Sequence, residues 1–105
     1  MRRGVLLALV TGLWLAVPGG AADFRVVQKN RAFSVREITL KAGDQIVFVN
    51  DDQYNHSVYS ETKGFEFDLK QPPGNSQAVR FSQAGTTEVQ CAIHPAMKLK
   101  ITVTQ

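Results

Sequence analysis

Three side chains that bind soft metals fall within one short run, Cys91-Ala92-Ile93-His94-Pro95-Ala96-Met97. A fourth, His56, lies 35 residues before Cys91, just after the apolar stretch Gln45–Asn50. The chain has one cysteine, two histidines and two methionines, and one of those methionines is Met1. All the imidazole and sulfur donors of the chain's main body can therefore belong to one site. Two imidazoles, one thiolate and one thioether are the donor set of a type 1 copper centre, a trigonal His/His/Cys plane with a weak axial Met. On this pattern Cys91 supplies the thiolate, His56 and His94 complete the plane, and Met97 is the axial donor.

Other chemistries account for these residues less completely. A buried free cysteine packs like a small hydrophobe, but His94 three residues later and the matching donor set favour a ligand. A Cys-His nucleophile pair leaves Met97 unexplained and names no oxyanion donors. Zinc accepts one Cys and two His, but a structural zinc site wants four strong ligands and a thioether is not one. A binuclear copper centre needs a second cysteine, and a catalytic second copper needs further histidines; the sequence has neither. His94, flanked by Ala92, Ile93, Pro95 and Ala96, stands in an apolar setting suited to a brief docking contact.

The elements that must position these donors read as strands. Leu99, Ile101 and Val103 alternate with Lys98, Lys100, Thr102 and Thr104. Phe65, Phe67 and Leu69 alternate with Glu66, Asp68 and Lys70; Thr87, Val89 and Cys91 alternate with Glu88 and Gln90. Such alternation predicts strands with one wet face. Gln45–Asn50 (QIVFVN) is apolar on both faces, as a central strand requires. Phe24–Gln28 predicts a first strand and Phe33–Leu40 a second, although Val35 breaks parity with Ile38 and Leu40, so a bulge or bend is expected between them. Turn clusters stand at Ala42-Gly43-Asp44, Pro72-Pro73-Gly74-Asn75 and Ala84-Gly85. The expected fold is all-β, a Greek-key sandwich or barrel of seven to eight strands. Within it, Cys91 ends a strand, His94 sits on the following loop and Met97 lies where the last strand begins. Asp51-Asp52 reads as a solvated turn. Lys98 and Lys100 share the wet face of the last strand, as a solvated edge or as charge that steers an acidic partner.

The N-terminus is of another kind. Met1-Arg2-Arg3 is followed by thirteen uncharged residues, Val5 to Val17, then Pro18-Gly19-Gly20-Ala21-Ala22. A charged start, a short apolar middle and a small-residue exit predict a secretory signal peptide over residues 1–22. The apolar run is shorter than the ~18–20 residues a membrane span needs. Residues 23–105 then form one domain. The chain's formal charge of +3 comes partly from the leader; the remaining 83 residues carry ten Lys+Arg against nine Asp+Glu. This balance removes the main support for a nucleic-acid partner. A chain so short, with no disulfide, is marginal without a staple, and a bound metal is one such staple.

The run Lys41-Ala42-Gly43-Asp44-Gln45-Ile46-Val47-Phe48-Val49-Asn50, followed by His56-Ser57-Val58, resembles the cupredoxins, especially the plastocyanin-like ones. Cys91-x-x-His94-Pro95-x-Met97 is similar to the short ligand loop of the amicyanin type. The resemblance covers nearly all of Phe24 to Thr104. It implies a β-sandwich, one type 1 copper held by His56, Cys91, His94 and Met97, and one-electron transfer between partner proteins such as a dehydrogenase or a c-type cytochrome. It implies an electron carrier, not an enzyme, acting as an exported monomer in the periplasm, with His94 at the edge of an apolar patch as the electron's exit. The rival expectation is a copper-binding protein for delivery or storage. One position departs from the pattern: the family usually has Asn after the first histidine, bracing the two ligand loops, and here that residue is Ser57. A serine hydroxyl can still bond to backbone, and the Ser57 N–H can still approach the Cys91 sulfur.

Overall fold

The computed structural model describes residues 20–105; the leader expected over residues 1–22 lies outside them except for its last three positions. Nine strands follow one another: β1 (Asp23–Lys29), β2 (Ala32–Phe33), β3 (Glu37–Lys41), β4 (Gln45–Asn50), β5 (His56–Ser60), β6 (Phe67–Gln71), β7 (Ser76–Arg80), β8 (Gly85–Cys91) and β9 (Lys98–Thr104). They form a five-stranded sheet in the order β3-β9-β8-β5-β6 and a four-stranded sheet in the order β2-β1-β4-β7. The described residues are thus an all-β sandwich of two open sheets, not a closed barrel.

The core lies between the sheets. Val26, Ile46 and Phe48 of the smaller sheet meet Leu40, Val58, Val89, Leu99, Ile101 and Val103 of the larger, all buried. The alternation of β9 puts Leu99, Ile101 and Val103 inward and leaves Lys98 and Lys100 in water. β4 lies between β1 and β7; it buries Ile46, Phe48, Val49 and Asn50, while Gln45 and Val47 on the other face are half-buried. The Phe48 ring packs between Phe33 (6.5 Å between centroids) and Phe67 (5.8 Å).

One expectation changes. The stretch Phe33–Leu40 is two strands, not one with a bulge. Ala32–Phe33 pairs antiparallel with β1, whereas Glu37–Lys41 pairs parallel with β9 in the other sheet. The parity break at Val35, which is 40% exposed, marks where the chain crosses from one sheet to the other. That crossing raises the strand count to nine.

The chain crosses back through the turn Lys41–Asp44. The Asp44 N–H donates to the Lys41 carbonyl (3.0 Å), and Gly43 takes φ of +102°, the glycine position of a type II turn. The buried Asp44 carboxylate accepts the N–H groups of Ala22 (2.9 Å) and Lys41 (2.8 Å). These two bonds, Ala22 first, hold its pKa below the ordinary 3.8, outweighing the upward push of burial.

Candidate metal centre

β8 and β5 are antiparallel neighbours with Val58 opposite Cys91. Period-two geometry puts His56, two residues before Val58, on the same inward face, and His56, Val58 and Cys91 are all buried. After Cys91 the chain turns back to β9 in six residues. The Ala92 N–H donates to the Ser57 carbonyl and the Met97 N–H to the His94 carbonyl, both at 2.9 Å. These bonds tie the loop to β5 and close it on itself.

Three donor atoms meet in the space so formed. His56 Nδ1 lies 3.6 Å and His94 Nδ1 3.8 Å from Cys91 Sγ, and the two Nδ1 atoms are 3.2 Å apart. An ion in their plane, with bonds of about 2.0 Å to nitrogen and 2.3 Å to sulfur, sets donor separations of about 3.5 Å and 3.7 Å. The triangle therefore has the size of a single metal site. Two unprotonated imidazole nitrogens at 3.2 Å would repel one another, and a cation between them removes that repulsion. His56, Cys91 and His94 can hold a metal together, and their soft-plus-imidazole character fits copper. Met97, the fourth residue expected from the sequence, is buried at the end of the same loop.

The tautomer of His56 is set from behind. Its Nε2 faces Asp52 Oδ2 at 3.1 Å, so the hydrogen-bond network assigns the proton to Nε2 and leaves the Nδ1 lone pair aimed at the centre. Here the expectation of a solvated Asp51-Asp52 turn is half right. Asp51 is exposed and faces Lys29 at 3.8 Å. Asp52 is only 8% exposed and accepts the N–H groups of Arg31 (2.7 Å) and Gln53 (3.1 Å) besides the imidazole. The strand ends at Asn50, and in the turn that follows the hydrogen bonds of Asp52 hold it inward while Asp51 stays in water. Burial pushes the Asp52 carboxyl up, but the Arg31 N–H, His56 and the Gln53 N–H together hold it below its ordinary value.

A second tier holds Asp52 in place. Asn50 Oδ1 accepts the Asp52 N–H, while Asn50 Nδ2 donates to the carbonyls of Tyr54 and Gln71, each at 2.8 Å. Gln71, opposite His56 in β6, accepts from Gln28 Nε2 and donates to the Phe48 carbonyl, both at 2.8 Å. Residue types and strand parity alone mark none of Asn50, Asp52, Gln28 or Gln71 as site residues. A ligating histidine nearly always needs an acceptor on its other nitrogen, and that need could have pointed to Asp52, four residues before His56.

Ser57 braces the site through its backbone rather than its side chain. Its N–H donates to Cys91 Sγ at 3.3 Å. Its hydroxyl does not reach backbone across the loops; it accepts from Lys70 Nζ (2.9 Å) and lies 3.5 Å from Asp68 Oδ1. His94 is the half-buried member of the trio, beside Tyr54 (6.1 Å between ring centroids) and the exposed Ile93. Burial, then the nearby His56 and the Arg31 cation, hold its pKa below the ordinary 6.5 against an upward pull from Asp52. A neutral imidazole is the metal-binding form.

The family model for the cupredoxin-like domain matches residues 4–103. Amicyanin-alpha of Methylorubrum extorquens is 29% identical over 103 residues, covering 91% of this chain and 85% of its own length. The crystal structure of amicyanin from Paracoccus versutus superposes with a TM-score of 0.68 at 28% identity, over 85% of this chain and 86% of that one. A copper-containing nitrite reductase from Thermus scotoductus gives a TM-score of 0.73 at 22% identity, which is a likeness of fold; this chain spans 22% of that one.

Proposed function

The chain belongs to the cupredoxin family, and from that premise we propose that it is an exported, mononuclear type 1 copper protein carrying single electrons between redox partner proteins. The observation that carries this reading is the convergence of His56 Nδ1, Cys91 Sγ and His94 Nδ1, with the His56 tautomer fixed by Asp52. Met97, buried at the end of the loop that carries His94, would supply a fourth, weak thioether donor to the copper. Residues 1–22 direct export to the periplasm, and residues 23–105 work as a monomer between partners such as a dehydrogenase and a c-type cytochrome.

Bound copper supplies one-electron chemistry by cycling between Cu(II) and Cu(I). The chain's own part is to keep its donors still. Cys91 and His56 sit on paired strands, the Ser57 N–H points at the sulfur, and Asp52 fixes one imidazole from behind. Donors locked by such packing and bonding move little between oxidation states. His94, which alone of the trio reaches the surface, is the path for the electron. Both histidines of the chain are spent on this site, which leaves none for a second, catalytic copper. Burial of His56, Cys91 and Met97 also speaks against a delivery protein, which must surrender its ion to an acceptor.

The test is the visible spectrum of the copper-loaded protein. An intense thiolate-to-Cu(II) band that bleaches and returns on reduction and reoxidation is the expected result, and Cys91→Ser abolishes the colour. A colour that survives that substitution overturns the ligand assignment; preferential Cu(I) binding with transfer to an acceptor, and no reversible cycle, favours delivery. Met97→Leu keeps the copper and raises the reduction potential, and an unchanged potential removes Met97 from the axial position.

A further inference from the structure

The hairpin that joins β1 to β2 is closed by two residues. Gln28 faces Phe33 and Lys29 faces Ala32, which leaves Asn30 and Arg31 to make the turn. Both have positive φ, +52° and +56°, the pattern of a type I′ turn. Asparagine suits the first position. Glycine is preferred at the second, because an L side chain is strained there. This chain has an arginine instead. Among the described residues Asn30 and Arg31 are the only ones other than glycine with positive φ, so the strain is confined to this turn and points to a local role for the side chain.

Arg31 is held at both its backbone and its side chain. Its N–H donates to Asp52 Oδ2 at 2.7 Å, and the same oxygen faces His56 Nε2 at 3.1 Å. Any residue except proline would keep that N–H, so the bond fixes the place of the turn and not the choice of arginine. The guanidinium lies over the Tyr54 ring, 4.9 Å from the centroid, within the range of a cation–π contact. Among the described residues it is in no salt bridge, whereas Lys29 and Lys70 each face an aspartate. The aromatic face is its partner.

Tyr54 carries this contact to the donor triangle. Its ring meets the His94 ring edge-on, 6.1 Å between centroids and at 67°, and the Asn50 side chain holds its carbonyl at 2.8 Å. With 40% of its surface in water, Tyr54 lacks the enclosure that fixes a core ring. His94 is in a similar position. Cys91 and His56 belong to β8 and β5, but His94 stands on the loop between β8 and β9.

We propose that the Arg31 guanidinium clamps Tyr54 against His94 and so restrains the one donor of the triangle that a loop carries and no strand supports. Arg31 is thus a positioning residue, acting on His94 through Tyr54. The proposal rests on the metal-centre reading for its purpose, but the clamp itself is already closed in the metal-free chain. The strained backbone of Arg31 is what it costs to place the cation there.

The experiment follows copper release from the loaded protein to excess EDTA in Arg31→Gly. Glycine keeps the turn and its N–H, relieves the strain and removes only the guanidinium. Loss of a positive charge by itself slows the escape of a cation, so charge and contact act in opposite directions. Release is expected to quicken about two- to fivefold, the factor that an exposed cation–π contact supplies, while the metal-free variant melts no lower than wild type. Tyr54→Leu removes the platform: release quickens at least as much, and adding Arg31→Gly to it changes nothing further. In the metal-free protein, NMR cross-peaks between the Tyr54 and His94 rings weaken in Arg31→Gly while His56 is unmoved. Release that is unchanged or slower in Arg31→Gly, or effects of the two substitutions that multiply, overturns the clamp. So does a loosening that reaches His56 or lowers the melting temperature, because it makes Arg31 a structural residue of the hairpin. A protein that takes up no copper sinks the metal-centre reading and leaves the cross-peaks to decide on the clamp; a blue, cycling protein whose copper release ignores Arg31→Gly sinks the clamp alone.

Discussion

β4 has a buried aspartate at each end, Asp44 just before its first residue and Asp52 two residues after its last. A six-residue strand separates their two regions by about 20 Å. Both carboxylates accept two backbone N–H groups and both titrate below their ordinary value. Asp44 binds backbone: Ala22 and Lys41, its bonds closing the turn that returns the chain to the smaller sheet. Asp52 binds backbone and an imidazole, and that imidazole is one corner of the donor triangle. The same residue type in the same burial does scaffold work at one end and ligand positioning at the other. What separates them is the third partner.

The sharpest break of this comparison is Asp52→Ala. It leaves the buried Nε2–H of His56 without its acceptor and lets the proton move to Nδ1, the atom that must face the metal. Copper affinity is expected to fall about 10–100-fold, measured by competition with a chelator; an unchanged affinity reduces Asp52 to a second Asp44. Asp44→Asn should do the reverse, lowering the melting temperature at neutral pH while the visible spectrum and copper affinity stay put. Its effect depends on pH in a defined direction. The folded-state pKa lies below the unfolded value, so the stabilisation is fully present above that value and is lost as pH falls through the folded one. Melting curves taken from pH 6 down to about pH 2 should therefore drop more steeply for wild type than for the variant, and parallel slopes contradict the role given to Asp44. The smallest effect belongs to Gly43→Ala. Nothing lies within 4 Å of an added Cβ, so the cost is that of the +102° φ alone, about 1–2 kcal/mol. Chemical denaturation measures it, and any accompanying change in the copper spectrum breaks the independence of the two ends.

Much of the site end could be read in the residues themselves. Cys91 and His94 are close in sequence, so one strand end and its loop collect them, and the parity of His56 with Val58 turns the third donor of the triangle inward. The alternation of Leu99, Ile101 and Val103 likewise determines which face of β9 enters the core. What escaped depended on the third dimension. Asp51 and Asp52 look alike as a dipeptide, and only the end of β4 at Asn50 turns one to solvent and the other toward His56. Gln28, Asn50 and Gln71 are polar residues on three different strands, and nothing local announces that they share one hydrogen-bond network. The positive φ of Arg31 is set by the β1–β2 pairing and by bonds to residues more than twenty positions away. Val35 did announce itself as a parity error, but the error marks a change of sheet rather than a bulge.

X-ray absorption at the copper edge of the loaded protein, oxidised and reduced, bears most directly on the claim that His56, Cys91 and His94 form one rigid donor triangle. The account predicts one short sulfur shell and two nitrogens in both oxidation states, with little change in distance between them and loss of that sulfur shell in Cys91→Ser. A first shell of nitrogen and oxygen only, or one that rearranges on reduction, contradicts it.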